Sequence, residues 1–170
     1  MSAPPLSSET SQARRWTIAQ PRLRLKPAHR STGFMQGGWW PLTDQLYIEL
    51  RHLLPALSSR SGTIERVIYD ENSWASASLR MEFRGHSVIL EPSNTSPNTL
   101  TVSGEKFGTL VLLVVPPDTD PPAAHAAVMT AADPDDVSTA EELLAIGMRA
   151  AQDSRHASMT DERGGSDGET

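Results

Sequence analysis

The chain has 170 residues, with 15 Lys+Arg against 21 Asp+Glu, a net charge of -6 and no Cys. This length suits one ordinary domain with tails, or two very small ones. The absence of Cys excludes a disulfide scaffold, a thiol nucleophile and every Cys-ligated zinc or iron–sulfur site.

The charge is unevenly spread. Residues 1–43 carry six basic residues and one acid, whereas residues 117–170 carry three basic residues and twelve acids. An acidic, weakly apolar C-terminal third buries too little surface to offset chain entropy. Residues 1–19 accordingly read as a disordered arm and 153–170 as a disordered acidic tail. The compact domain is expected over 20–132, followed by a loosely docked helix within 133–152. The longest apolar run, Leu110 to Val115, is far short of the ~20 residues a spanning helix needs. Met1 to Gln20 has no continuous apolar stretch of the kind a secretory signal uses. The expectation is a cytoplasmic protein without membrane contact.

In chain order, Arg22-Leu23-Arg24-Leu25 alternates polar and apolar and predicts a short strand. Pro27 to Pro41 reads as a Gly-rich loop. Thr43 is the expected cap of a helix, with Asp44 in its first turn. Leu46, Leu50, Leu53, Leu54 and Leu57 then form one apolar stripe, and Gly62 closes the segment. Pro55, with no N–H to give, is expected to kink that helix. Thr63 to Tyr69 is rich in β-branched residues and predicts a strand. Leu79, Met81 and Phe83 alternate with Arg80, Glu82 and Arg84, and Gly85 allows a tight turn into Ser87–Glu91. Thr99–Ser103 alternates again. Phe107–Val115 is apolar on both faces and predicts the most central strand. Pro121 and Pro122 suit a helix start, continued through Ala132. Ser138-Thr139-Ala140-Glu141 is a capping-box pattern before Leu143, Leu144 and Ile146. The fold class expected is α+β in a single domain. It is an antiparallel meander of about five to six strands on one main helix, with an extra C-terminal helix and disordered tails.

Three stretches carry a resemblance. They are Gly33-Phe34-Met35-Gln36-Gly37-Gly38-Trp39-Trp40-Pro41, Glu65-Arg66-Val67-Ile68-Tyr69 with Trp74, and Leu112-Leu113-Val114-Val115-Pro116-Pro117-Asp118-Thr119-Asp120-Pro121. With Pro21–Pro27, they resemble a family of small actinobacterial proteins known as a domain of unknown function. The resemblance spans about Pro21 to Ala132. It implies no activity, cofactor or catalytic residue.

The strongest local feature is the loop Gly33–Pro41. Its paired rings, Trp39 and Trp40, can stack on a ligand, and the helix beginning nearby attracts anions. Gly37 and Gly38 let a backbone come close. In an extended loop one ring anchors on the core while the other stays partly exposed. Arg66 shares a face with Ile64 and Ile68 and is expected to reach inward toward an acidic partner or anion. The other signals are weaker. The phosphate-loop pattern GxxxxGK[ST] is absent, and Gly85-His86-Ser87 lacks the closing glycine of a nucleophile elbow. No two of His29, His52, His86, His125 and His156 have ligand spacing, so no metal or cofactor is expected. Arg14, Arg15, Arg22, Arg24, Lys26 and Arg30, with Trp16, form a sparse basic stretch. Its expected partner is the acidic tail, ahead of nucleic acid.

The reading is a non-catalytic binding or regulatory module, using Trp39, Trp40, Arg66, Gly37 and Gly38 on a protein or small anionic ligand. The alternative is a small-molecule enzyme with a Trp stacking platform.

Overall fold

A computed structural model describes residues 22–27, 33–75, 77–105 and 108–163. The arm over 1–19, with Arg14, Arg15 and Trp16, lies outside the described residues, as do His29, Arg30 and the tail beyond 163. The described elements are β1 (Leu23–Leu25), β2 (Gly37–Trp39), α1 (Leu46–Ser61), β3 (Ile64–Asp70), β4 (Arg80–Phe83), β5 (His86–Ser93), β6 (Thr99–Gly104), β7 (Gly108–Val114), α2 (Pro121–Ala131) and α3 (Ala140–Arg163).

The strands form one seven-stranded sheet in the order β1-β2-β7-β6-β3-β5-β4. This corrects the expected meander. The β2–β7 and β3–β5 pairs are parallel, and the rest are antiparallel. Alternation gives each strand its faces but not its neighbours. Here β5 inserts between β3 and β4, and β2 reaches across to β7. The β4–β5 hairpin turns through Arg84 (φ 51) and Gly85 (φ 78). Positive φ at both central residues is the primed two-residue turn that matches strand twist.

The sheet is buried on two sides at β7. Leu110, Leu112 and Val114 pack with the α1 leucines, while Val111, Leu113 and Val115 pack with α2 and α3. A single strand feeding both cores explains why its apolar run does not alternate. The expectation of one covering helix is therefore corrected, because helices lie on both faces. The alanine-rich α2 reaches the sheet through Ala124, Ala127 and Ala131.

Helix boundaries differ from expectation by a few residues. Gln45, not Thr43, occupies the cap position of α1, and α1 runs through Pro55. Thr43 acts two residues earlier. Its N–H and hydroxyl both donate to Glu49 Oε1 at 2.9 Å, and its Oγ1 accepts from Gln45 N. The box before α3 is shifted by one residue, to Thr139 and Glu142, which exchange hydrogen bonds. Helix α3 packs against α2. Leu143 is fully buried, and a Cβ on Gly147 would lie 2.4 Å from Ala123 O. It also runs past 152, to Arg163. No Gly or Pro interrupts 148–163, and Arg155 pairs with Asp120. Residues 152–160 are nevertheless exposed on every side.

Candidate functional site

The residues singled out from sequence do not share a surface. Trp39 is 5% exposed and Trp40 8%. The adjacent rings point to opposite faces of the sheet, Trp39 into the α1 core and Trp40 into the α2–α3 core. The expectation of one partly exposed ring is corrected, because both sheet faces are covered there. Gly37 and Gly38 belong to β2 rather than a loop. A Cβ on Gly37 would lie 2.2 Å from Arg24 O, and one on Gly38 would lie 2.9 Å from Val128 Cα. The close approaches they permit are to β1 and α2, within the fold. Arg66 does not reach inward. Its side chain is 49% exposed and pairs with Glu91 at 3.3 Å on the adjacent parallel strand. A bulge between Ile64 and Arg66 is the reason, since one extra residue puts Arg66 on the face opposite Ile64. The basic stretch is also broken up. Lys26 is buried and donates to Asp136 O at 2.6 Å. Arg22 lies 4.1 Å from the Trp40 ring centroid. Burial lowers the Arg22 pKa, and the Glu49 charge opposes that shift.

What these residues do assemble is the support of a groove. Strands β2, β3, β5 and β7 run the same way, so their carboxyl ends share one edge of the sheet. Open sheets with crossovers bind ligands outside that edge. A groove of about 480 Å³ lies there, lined by residues that follow β2 (Pro41, Asp44), β3 (Asn72, Ser73, Trp74) and β7 (Pro116, Pro117, Asp118), with Asn98 ahead of β6. Trp74 stacks on Trp39 with centroids 5.5 Å apart. Trp40 Nε1 donates to Pro116 O at 3.2 Å. The two tryptophans of the sequence motif thus brace the groove from the two faces of the sheet.

The charged residues of the described lining are acids, although the Arg22 guanidinium donates to the carbonyl of the wall residue Pro41. Asp44 and Asp118 are exposed on the groove's walls, and none of the described lining residues is basic. Asp118 has no hydrogen-bond or ion-pair partner among the described residues. The buried indole N–H of Trp74 also has no acceptor there, and such orphan donors cost free energy. Trp74→Phe should therefore change stability by less than ~1 kcal/mol in urea unfolding, whereas Trp74→Ala should cost about 3–5 kcal/mol.

Asp70, at 4% exposed, holds the groove's loops together. Its carboxylate accepts from Asn72 N at 3.1 Å, Ser73 Oγ at 2.6 Å and Asn98 N at 2.9 Å. That last bond fixes Asn98 at φ 57, a conformation Asn tolerates better than most residues. Burial alone would raise the Asp70 pKa, but the donors from Ser73, Asn98 and Asn72 outweigh it and hold the carboxyl below its ordinary value. A depressed folded pKa adds stability that is present above the unfolded value of ~3.9 and is lost as pH falls through the folded one. Asp70→Asn should cost about 1–3 kcal/mol at pH 7. The gap to wild type should shrink in urea melts repeated toward pH 2. An unchanged gap would mean the clamp does not depend on its charge.

Two further grooves share lining residues with the first. One of about 670 Å³ shares Asn98 with it and runs between Phe34 and α3. Another of about 460 Å³ shares Pro116 and Asp118 and lies against Arg155. Among the described residues no three His, Asp or Glu gather as metal ligands, and no helix is long and apolar enough to cross a membrane.

Sequence reasoning missed Asp44, Asn72, Asn98 and Asp118 as groove residues. The available signal was the clustering of Asp, Asn, Ser and Pro directly after the strands. All the residues lining the first groove lie between 41 and 118. No curated protein and no solved structure matches the chain. A comparison with protein families matches residues 22–131, which take in β1 through α2 and the whole first groove, to the Family of unknown function DUF5994. The chain belongs to that family.

Proposed function

We propose that the chain is a non-catalytic binding module whose working face is the acidic groove at the carboxyl edge of the sheet. Its ligand is a basic, extended segment of protein. The observation that carries this reading is the make-up of the groove. Asp44 and Asp118 stand on walls built from Pro41, Pro116, Pro117 and Trp74. Arginine and lysine stems lie well along such apolar surface while their heads meet carboxylates. The same charges repel a small anionic ligand, so of the two partner classes suggested by the sequence, a protein or a small anion, the protein is retained. Asp70 favours binding over catalysis. It is held ionised, with its oxygens occupied by structural donors, and is not poised to exchange a proton near neutral pH.

The test is calorimetric titration of the full chain at low salt with a tetra-arginine peptide and a tetra-glutamate peptide. Tetra-arginine should bind and tetra-glutamate should not. The double variant Asp44→Asn/Asp118→Asn should bind tetra-arginine at least tenfold more weakly, about 1.4 kcal/mol, with an unchanged melting temperature. Equal binding by the variant, or preference for tetra-glutamate, would contradict the proposal.

A further inference from the structure

We propose that β4 is a docking edge for a second copy of this chain. The second copy adds its own β4 antiparallel, across a two-fold axis at Met81, so that Arg80 of each copy faces Glu82 of the other. This edge is separate from the groove, whose described lining includes no residue of β4 or β5.

The backbone sets which residues can pair. Among the described residues β4 ends the sheet, with β5 as its one neighbour. Leu90 N donates to Leu79 O at 2.8 Å. In an antiparallel ladder successive residues turn their backbone groups to opposite sides, so Leu79, Met81 and Phe83 bond toward β5. Arg80 and Glu82 therefore present N–H and C=O outward along the free edge. A second β4 can bond to them only through residues that also point outward. Centring the pair on Met81 meets that condition, because Arg80 of one copy and Glu82 of the other then exchange both backbone hydrogen bonds.

The side chains select this register. Met81 packs in the α1 core, so Arg80 and Glu82 lie on the opposite sheet face. Both are exposed, and neither has an ion-pair partner among the described residues. Centred on Met81, each arginine stands opposite a carboxylate, which stabilises neighbouring strands. Sliding one step either way sets Arg80 against Arg80 or Glu82 against Glu82, and like charges directly opposite repel. Charged residues commonly guard a sheet edge against pairing. This alternating pair repels in the neighbouring registers and attracts in this one. On the α1 side, Leu79 is 72% exposed. The same register lays it across from the partly buried Phe83 of the second copy. Such a contact is isologous and closes at two copies. An edge of four residues buries less than the roughly 1,200–2,000 Å² of a stable interface, so the dimer is weak and depends on concentration.

Sedimentation velocity of the full chain at rising concentration tests this. The native chain should pass from monomer to dimer and no further. Arg80→Glu and Glu82→Arg should each weaken the dimer at least tenfold, with unchanged melting temperatures in dilute solution because both side chains are exposed. An equimolar mixture of the two variants should dimerise as tightly as the native chain, since every reversed side chain then faces its opposite. The double variant Arg80→Glu/Glu82→Arg should do the same alone. Should one reversal lower the melting temperature, the other reversal and the double variant decide. A native chain that stays monomeric at every concentration, species that grow beyond the dimer, or a dimer indifferent to the single reversals would overturn the proposal. So would a double variant no tighter than the single reversals.

Discussion

Leu112→Ala should lower the unfolding free energy by about 2–5 kcal/mol, through lost transfer energy and the cavity left behind. Leu112 is fully buried in β7, between β2 and β6, and packs in the α1 core. The flanking strands are hydrogen-bonded on both sides and cannot close around the gap. Leu50→Ala, on the buried stripe of α1, should fall in the same range. Urea unfolding measures both. Costs below ~0.5 kcal/mol, the level of ordinary surface changes, would contradict the two-sided core.

Gly37→Ala should be comparably damaging for a different reason. The added methyl would lie 2.2 Å from Arg24 O and 3.0 Å from Leu25 Cα. Both neighbours are backbone, so no side chain can rotate away, and β1 must separate from β2. Overpacking of this kind costs roughly 1–3 kcal/mol or more. Gly85→Ala provides the contrast, because nothing lies within 4 Å of its Cβ. It should cost only the roughly 1–2 kcal/mol of a non-glycine residue at positive φ. Thermal melts of the two variants should rank them in that order. If Gly37→Ala instead keeps its stability and loses ligand binding, the glycine serves a ligand.

The parts of the fold legible in the sequence are those with strong periodicity or burial. The leucine stripe of α1, the Arg80–Phe83 alternation with its Gly85 turn, and the two-sided run of β7 are of this kind. Periodicity is local, so it did not reveal that β2 pairs with β7 or that β5 separates β3 from β4. Gly37-Gly38-Trp39 has the composition of a loop, yet it forms a strand because β1 and α2 approach too closely for side chains. Arg66 was misplaced by one bulge, which exchanges the faces of a strand. Lys26 counted as surface charge from sequence, but the chain folds over it and Asp136 O receives its ammonium. The groove was least legible, because its lining is spread over stretches far apart in the sequence, and even the motif residues Pro41, Trp74 and Asp118 carry no sign that they meet. It forms where segments after three strands meet, and the residues that attracted attention, Trp39 and Trp40, lie beneath it.

The account's central claim is that the working face is the acidic strand-end groove. Amide chemical-shift mapping of the full chain during a tetra-arginine titration tests it most directly. The perturbed amides should cluster at residues 42–44, 72–74, 98 and 118–119, and the Asp44→Asn/Asp118→Asn variant should lose them. Shifts centred instead on Arg66, Glu91 and the open face of β3 and β5, or unchanged in the variant, would contradict the claim.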